Sequence, residues 1–236
     1  MWRTLYATPA IVAHTAYLGT ATLATTPFTK RFHDPILKAW SRRVLSAAGI
    51  RLVIEGAERL SPDQRYVFMA NHQSLLDVPT LVMAVPGPVR FVAKSSLARV
   101  PLFGQALRAI GNIPIERGNR QDTMRRMREA QQGIARQVSV AFFAEGTRSD
   151  DGELLPFKRG GVAMALALGV PIVPMAISGT IKVLPKGARG VRKSGLVRVA
   201  IGEPIPTGEE SPEEKQRLLG LVSAEVASMY ERIRRA

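Results

Sequence analysis

The sequence predicts an α/β protein with a single mixed sheet of about seven strands flanked by helices, preceded by an N-terminal helical segment. Three observations lead there. From about residue 50, short β-rich runs alternate with longer stretches of helical periodicity. The chain of 236 residues is 46% hydrophobic and 22% charged, which suits one packed domain better than a disordered chain. No internal repeat or low-complexity linker divides it.

The expected strands are Arg51 to Glu55, Tyr66 to Ala70, Arg90 to Ala93, Asn112 to Ile115, Val138 to Phe143, Ile172 to Ile177 and Leu196 to Ile201. A helix over 120–136 would bring Met124, Met127, Ala130 and Ile134 onto one face. The last helix opens with Ser211, Pro212 and Glu214, a capping box with proline at the first helical position. Its periodicity turns Leu218, Val222, Val226, Met229 and Ile233 inward.

Ahead of this domain, taken as residues 46–236, lies a segment of a different kind, residues 1–45. Between Arg3 and Lys30 no Lys, Arg, Asp or Glu occurs, so the run is long enough to cross a bilayer. His14 and the threonines at 8, 15, 20, 22, 25 and 26 dilute its hydrophobicity. It therefore fits a spanning helix, an interfacial helix, a helical hairpin broken near Pro27, or a buried soluble helix. The expectation is membrane association. Lys30, Arg31, Lys38, Arg42 and Arg43 would then keep the rest of the chain on the cytoplasmic face of the cell membrane.

The formal charge of +14 and the pI near 11 call for an anionic partner, whether nucleic acid, phospholipid surface or acidic protein. Nucleic acid fits poorly: aromatic content is 6% and the basic residues are not interleaved with aromatics. Gly190 to Gly195 imitates the start of a phosphate loop but continues with Leu196 and Val197, where that loop needs Lys and Ser or Thr. Lys182 to Arg198 holds six basic residues and no acidic one, which suits lipid headgroups, an acidic protein or plain solvent. Without cysteine the chain forms no disulfide, thiolate metal site or acyl-cysteine intermediate. Its histidines, at 14, 33 and 72, are too scattered for a metal cluster, so no metal is expected.

Candidate chemistry gathers at two strand ends. After the strand Tyr66 to Ala70, the polar run Asn71-His72-Gln73-Ser74 forms a strand-to-helix loop. With a helix starting at Ser74, Asp77 falls in its first turn, where the carboxylate can accept a hydrogen bond from His72 and fix its tautomer. The plainer alternative is that Ser74 and Asp77 only cap the helix and His72 is an ordinary loop histidine. After the strand Val138 to Ala144, Glu145-Gly146-Thr147-Arg148 again puts polar residues at a C-terminal sheet edge, the usual ligand side of an open α/β sheet.

These runs resemble the glycerophospholipid acyltransferase family, and within it the bacterial 1-acylglycerol-3-phosphate acyltransferases. The family's His-x4-Asp block stands as His72 to Asp77, its Gly-to-Arg strand as Gly111 to Arg117, its third block as Phe143 to Arg148, and its Val-Pro-Ile-Val-Pro strand as Val170 to Pro174. Phe91 to Lys94 and Phe157 to Gly161 are lesser matches in the expected order. Pro114 and Glu116 depart from the family's usual aromatic or aliphatic residue and Asp.

The resemblance implies transfer of a fatty acyl group from acyl-CoA or acyl carrier protein to the sn-2 hydroxyl of 1-acylglycerol 3-phosphate, giving phosphatidic acid. Another lysophospholipid, glycerol 3-phosphate or a lyso-aminolipid is the alternative acceptor. In that reading His72 is the general base and Asp77 orients it, with no metal or other cofactor. Arg117 and Arg148 would hold the acceptor phosphate and Lys94 would add a third charge. Glu145, Gly146 and Thr147 belong to the same site; Glu145 would brace a loop or an arginine, and amides around Gly146 could stabilise an oxyanion.

Overall fold

The computed structural model describes residues 2–116 and 138–236, together with Arg125 and Glu129. All seven expected strands form: β1 Ile50–Glu55, β2 Val67–Ala70, β3 Val89–Lys94, β4 Ile113–Ile115, β5 Ser139–Phe143, β6 Ile172–Ser178 and β7 Gly195–Ile201. They make one sheet in the order β1-β7-β6-β2-β5-β3-β4. β6, β2, β5, β3 and β4 are parallel to one another; β7 runs antiparallel to β6, and β1 follows β7, so the sheet is mixed. The helix expected over 120–136, with Met124, Met127, Ala130 and Ile134, lies outside the described residues, as does Arg117.

β2 sits between β5 and β6, and its side chains Val67, Phe68, Met69 and Ala70 are wholly buried on both faces. That is why it reads as an unbroken apolar run rather than an alternating one. One face is covered by the helices Gly160–Leu168 and Pro212–Arg235. Gly161 makes the first close approach possible, because a Cβ there would lie 2.8 Å from the sulfur of Met69. The last helix begins as expected: Ser211 accepts the Glu214 amide at 3.0 Å, and all five expected inward residues are buried.

The opposite face carries α3, Asp77–Ala84, against Phe68, Ala70, Phe91 and Ile177. Outside it lies a helical hairpin of α1, Trp2–Thr25, and α2, His33–Ala47, with Pro27 in the turn between them. α2 packs on α3, and α1 packs on α4, Phe103–Ile110. The break expected near Pro27 is there. Among the described residues no helix is long and apolar enough to cross a membrane. The threonines are nevertheless less polar in the fold than in the sequence. The hydroxyls of Thr15, Thr20, Thr22, Thr25 and Thr26 each donate to a carbonyl one turn back at 2.7–3.0 Å.

Candidate active site

Because β2, β3, β4, β5 and β6 are parallel, their C-terminal ends share one edge of the sheet, and the polar loops found in the sequence meet there. Asn71 continues β2 past its last ladder bond. Its side chain donates to the Ile177 carbonyl at 2.9 Å and accepts the Ile177 amide at 2.8 Å, pinning the loop to β6. The next residue, His72, is 8% exposed.

His72 Nδ1 donates to Asp77 Oδ2 at 2.8 Å, and the carboxyl group is wholly buried. The same oxygen accepts the Gln73 amide at 2.6 Å and the Ser74 amide at 2.8 Å, while Oδ1 accepts the Thr180 hydroxyl at 2.5 Å. Regular helix starts at Asp77 rather than Ser74, after a turn in which the Leu76 amide donates to Ser74 Oγ at 3.2 Å. The cap and the imidazole contact are therefore not alternatives. One carboxylate reaches back to close the turn and holds the ring with the same oxygen.

Since the carboxylate only accepts, the proton of a neutral ring sits on Nδ1 and the lone pair on Nε2. The ring stacks on Phe143 at 4.0 Å between centroids, with 14° between planes, so it is held from the side as well as from behind. Phe143 in turn stacks on Phe91 at 6.0 Å. Phe91 lines an apolar cavity of about 110 Å³, together with Val78, which follows Asp77, and with Leu18, Trp40, Ala106 and Leu107. Polar atoms bordering it are already paired: Trp40 Nε1 donates to Thr15 Oγ1 at 3.0 Å, and Asn112 binds the Phe91 amide and the Leu107 carbonyl.

At the end of β5, Glu145 turns inward. Its Oε1 accepts the His72 amide at 3.1 Å, so it braces the His72 loop. Burial, opposed by that amide and reinforced by Asp77, pushes its carboxyl up to about 8. Gly146 takes φ +71°, and Lys158 lies across it so closely that a Cβ would meet Nζ at 2.9 Å. The expectation that amides at Gly146 face an oxyanion fails for Gly146 itself, whose N–H donates to Phe143 O at 3.0 Å within the turn.

Thr147 is exposed. Arg148 is half-buried beside the histidine loop, since the neighbouring Ser149 amide donates to the His72 carbonyl at 2.8 Å. The Arg148 side chain makes no hydrogen bond or ion pair among the described residues; its carbonyl accepts from Lys186 at 3.0 Å. Lys94 is exposed at the end of β3, on the same edge but two strands from β2. Thr180, Phe143 and Lys158 also belong to the site and carry no signal by spacing. Phe143 and Lys158 at least lie inside quoted blocks, whereas Thr180 lies beyond them all.

The acyltransferase family model matches residues 51–178, the segment that carries β1 through β6 and the whole His72–Asp77 arrangement. The chain belongs to the acyltransferase family. The chain is 35% identical over 179 residues to the chloroplastic 1-acyl-sn-glycerol-3-phosphate acyltransferase BAT2 of Brassica napus, an alignment covering 75% of this chain and 52% of that one. It is 34% identical over 186 residues to the human 1-acyl-sn-glycerol-3-phosphate acyltransferase alpha, covering 78% of this chain and 65% of that protein. It spans about half the length of the first curated relatives it matches. The crystal structure of the 1-acyl-sn-glycerophosphate (LPA) acyltransferase PlsC from Thermotoga maritima superposes with a TM-score of 0.82 at 26% identity, covering 98% of this chain and 95% of that one.

Proposed function

We infer that this acyltransferase transfers a fatty acyl group from a thioester, acyl-CoA or acyl carrier protein, to the sn-2 hydroxyl of 1-acylglycerol 3-phosphate, giving phosphatidic acid. The observation that carries the reading is the buried His72–Asp77 pair joined, through Phe143 and Phe91, to an apolar cavity. His72 Nε2 takes the proton of the acceptor hydroxyl as its oxygen attacks the thioester carbonyl. The tetrahedral intermediate collapses with cleavage of the C–S bond, and the imidazolium returns the proton to the departing thiolate. Asp77 stabilises the imidazolium between these steps. The hydrocarbon tail is assigned to this cavity because its lining is apolar and its bordering polar atoms are already bonded. Arg148, with Lys158 and Lys94 on the same edge, is available to the acceptor phosphate.

The test is acyl transfer from thioesters of increasing chain length to a panel of acceptors with and without phosphate. Preference for 1-acylglycerol 3-phosphate is expected, and preference for an uncharged acceptor would remove the role given to Arg148. Ala106 is a buried wall of the cavity, so Ala106→Phe is expected to shorten the longest chain accepted while leaving short donors unaffected. An unchanged chain-length profile would place the tail elsewhere.

We also read residues 1–45 as lying on a membrane surface, at the anionic cytoplasmic leaflet. α1 exposes Tyr6, Pro9, Ala13, Tyr17 and Ala24 along one uncharged side, Tyr6 at 68% and Tyr17 at 67%, with its threonine hydroxyls satisfied internally. Phe28 is 88% exposed and is followed by Lys30 and Arg31, suited to acidic headgroups. Tyr6→Glu with Tyr17→Glu is expected to reduce flotation with anionic vesicles. Undiminished flotation would assign binding to another face.

A further inference from the structure

Glu145 is 2% exposed, yet among the described residues it forms no ion pair. One oxygen receives the His72 amide; the other, Oε2, is buried without a hydrogen-bond partner among those residues. The groups facing it are His72 from the loop after β2, Asp77 from α3, Tyr230 from the last helix and the main chain of Leu155, whose amide, like that of His72, favours the charged form but is outweighed by burial. Lys158 crosses the neighbouring Gly146 but forms no salt bridge with Glu145. Asp77 meets four donors, which suits a carboxylate; Glu145 meets no such set. A second buried anion against the same short loop would be repelled by the first and, among the described residues, left without a counter-ion.

We propose that Glu145 is a positioning residue that works as a neutral carboxylic acid, holding the main chain of His72 without placing a second negative charge beside Asp77. The two acidic residues flanking His72 then divide the work. Asp77 supplies charge to the ring, and Glu145 supplies only a hydrogen-bond acceptor to the backbone. The upward displacement of the Glu145 carboxyl to about 8, caused mainly by burial, agrees with this division. The proposal rests on His72 being the base, and its test includes a measurement that does not.

The sign of the linkage is fixed by the raised value. Between the ordinary 4.5 and about 8 the folded protein binds a proton at Glu145 that the unfolded chain has lost. Stability is therefore drained as pH rises through that window and levels off above it. Glu145→Gln keeps an acceptor oxygen for the His72 amide and removes the titration. Its Tm relative to wild type is expected to climb by several degrees between roughly pH 5 and pH 8 and then stay constant. Its kcat at neutral pH should stand well above that of Glu145→Ala, because the amide oxygen still accepts at that place. The wild-type pH–rate profile should carry an inflection near 8 that the glutamine variant lacks. Glu145→Ala, which removes the acceptor, should lower kcat by about tenfold or more with little change in KM.

A glutamine variant that is folded but a hundredfold slower would show that the negative charge is needed and overturn the proposal. A Tm difference that does not move with pH would overturn it whether or not acyl transfer is observed. If the glutamine variant fails to fold, the infrared carbonyl band of a protonated carboxylic acid in the wild-type protein at neutral pH decides the matter, and its absence is fatal. Loss of acyl transfer in the wild type alongside the expected Tm behaviour would instead count against the functional reading alone.

Discussion

Replacing His72 with alanine is expected to lower acyl transfer by roughly 100- to 10,000-fold, the range a positioned general base contributes. The loop should survive the change. Its main chain is held by bonds that do not involve the ring: the His72 amide donates to Glu145, the Ser149 amide donates to the His72 carbonyl, and Asn71 is tied to Ile177. What disappears is the ring stacked on Phe143 at 4.0 Å, leaving a small gap in an 8% exposed position rather than a hole in the core. The measurement is the rate with a thioester donor and 1-acylglycerol 3-phosphate, alongside a thermal melt. Wild-type turnover in a folded His72→Ala protein would end the mechanism.

Asp77→Asn is expected to cost at least about 100-fold in kcat with KM little changed, because it removes charge while keeping shape. Three donors converge on Oδ2, so the amide oxygen of asparagine takes that place and continues to accept from His72 Nδ1, Gln73 and Ser74. The amide nitrogen then faces Thr180, whose hydroxyl can turn from donor to acceptor. The tautomer of His72 is preserved and the imidazolium loses its counter-charge. A parallel fall in Tm and in rate would mean that the turn, not the charge, had been lost. Unchanged kcat would make Asp77 a cap and nothing more.

The seven strands were legible because each is a short apolar or β-branched run, and their observed ends fall within one residue of the expected ones. The last helix was legible for an equally local reason, since Ser211, Pro212 and Glu214 make its cap among themselves. His72 and Asp77 could be paired because only a tight turn separates them, although the helix start was placed at Ser74 and regular helix begins at Asp77. Spacing along the N-terminal segment does not show where its threonine hydroxyls go: Thr15, Thr20, Thr22 and Thr25 of α1, and Thr26 just beyond it, bond to carbonyls one turn back.

By itself the sequence determined the seven strands, the last helix and the two polar loops at strand ends, since hydrophobic period, turn residues and caps act over a few neighbouring positions. Only the tertiary structure decided which strands lie side by side, that Thr180 reaches Asp77 across 103 residues, that Glu145 turns inward to the His72 amide across 73, and that Gln73 meets Tyr230 across 157. Such contacts are fixed by the order β1-β7-β6-β2-β5-β3-β4 and by burial, which set distances that spacing along a chain does not encode. The same holds for the upward displacement of the Glu145 carboxyl, because desolvation is a property of what surrounds a carboxyl group and not of the residues written next to it.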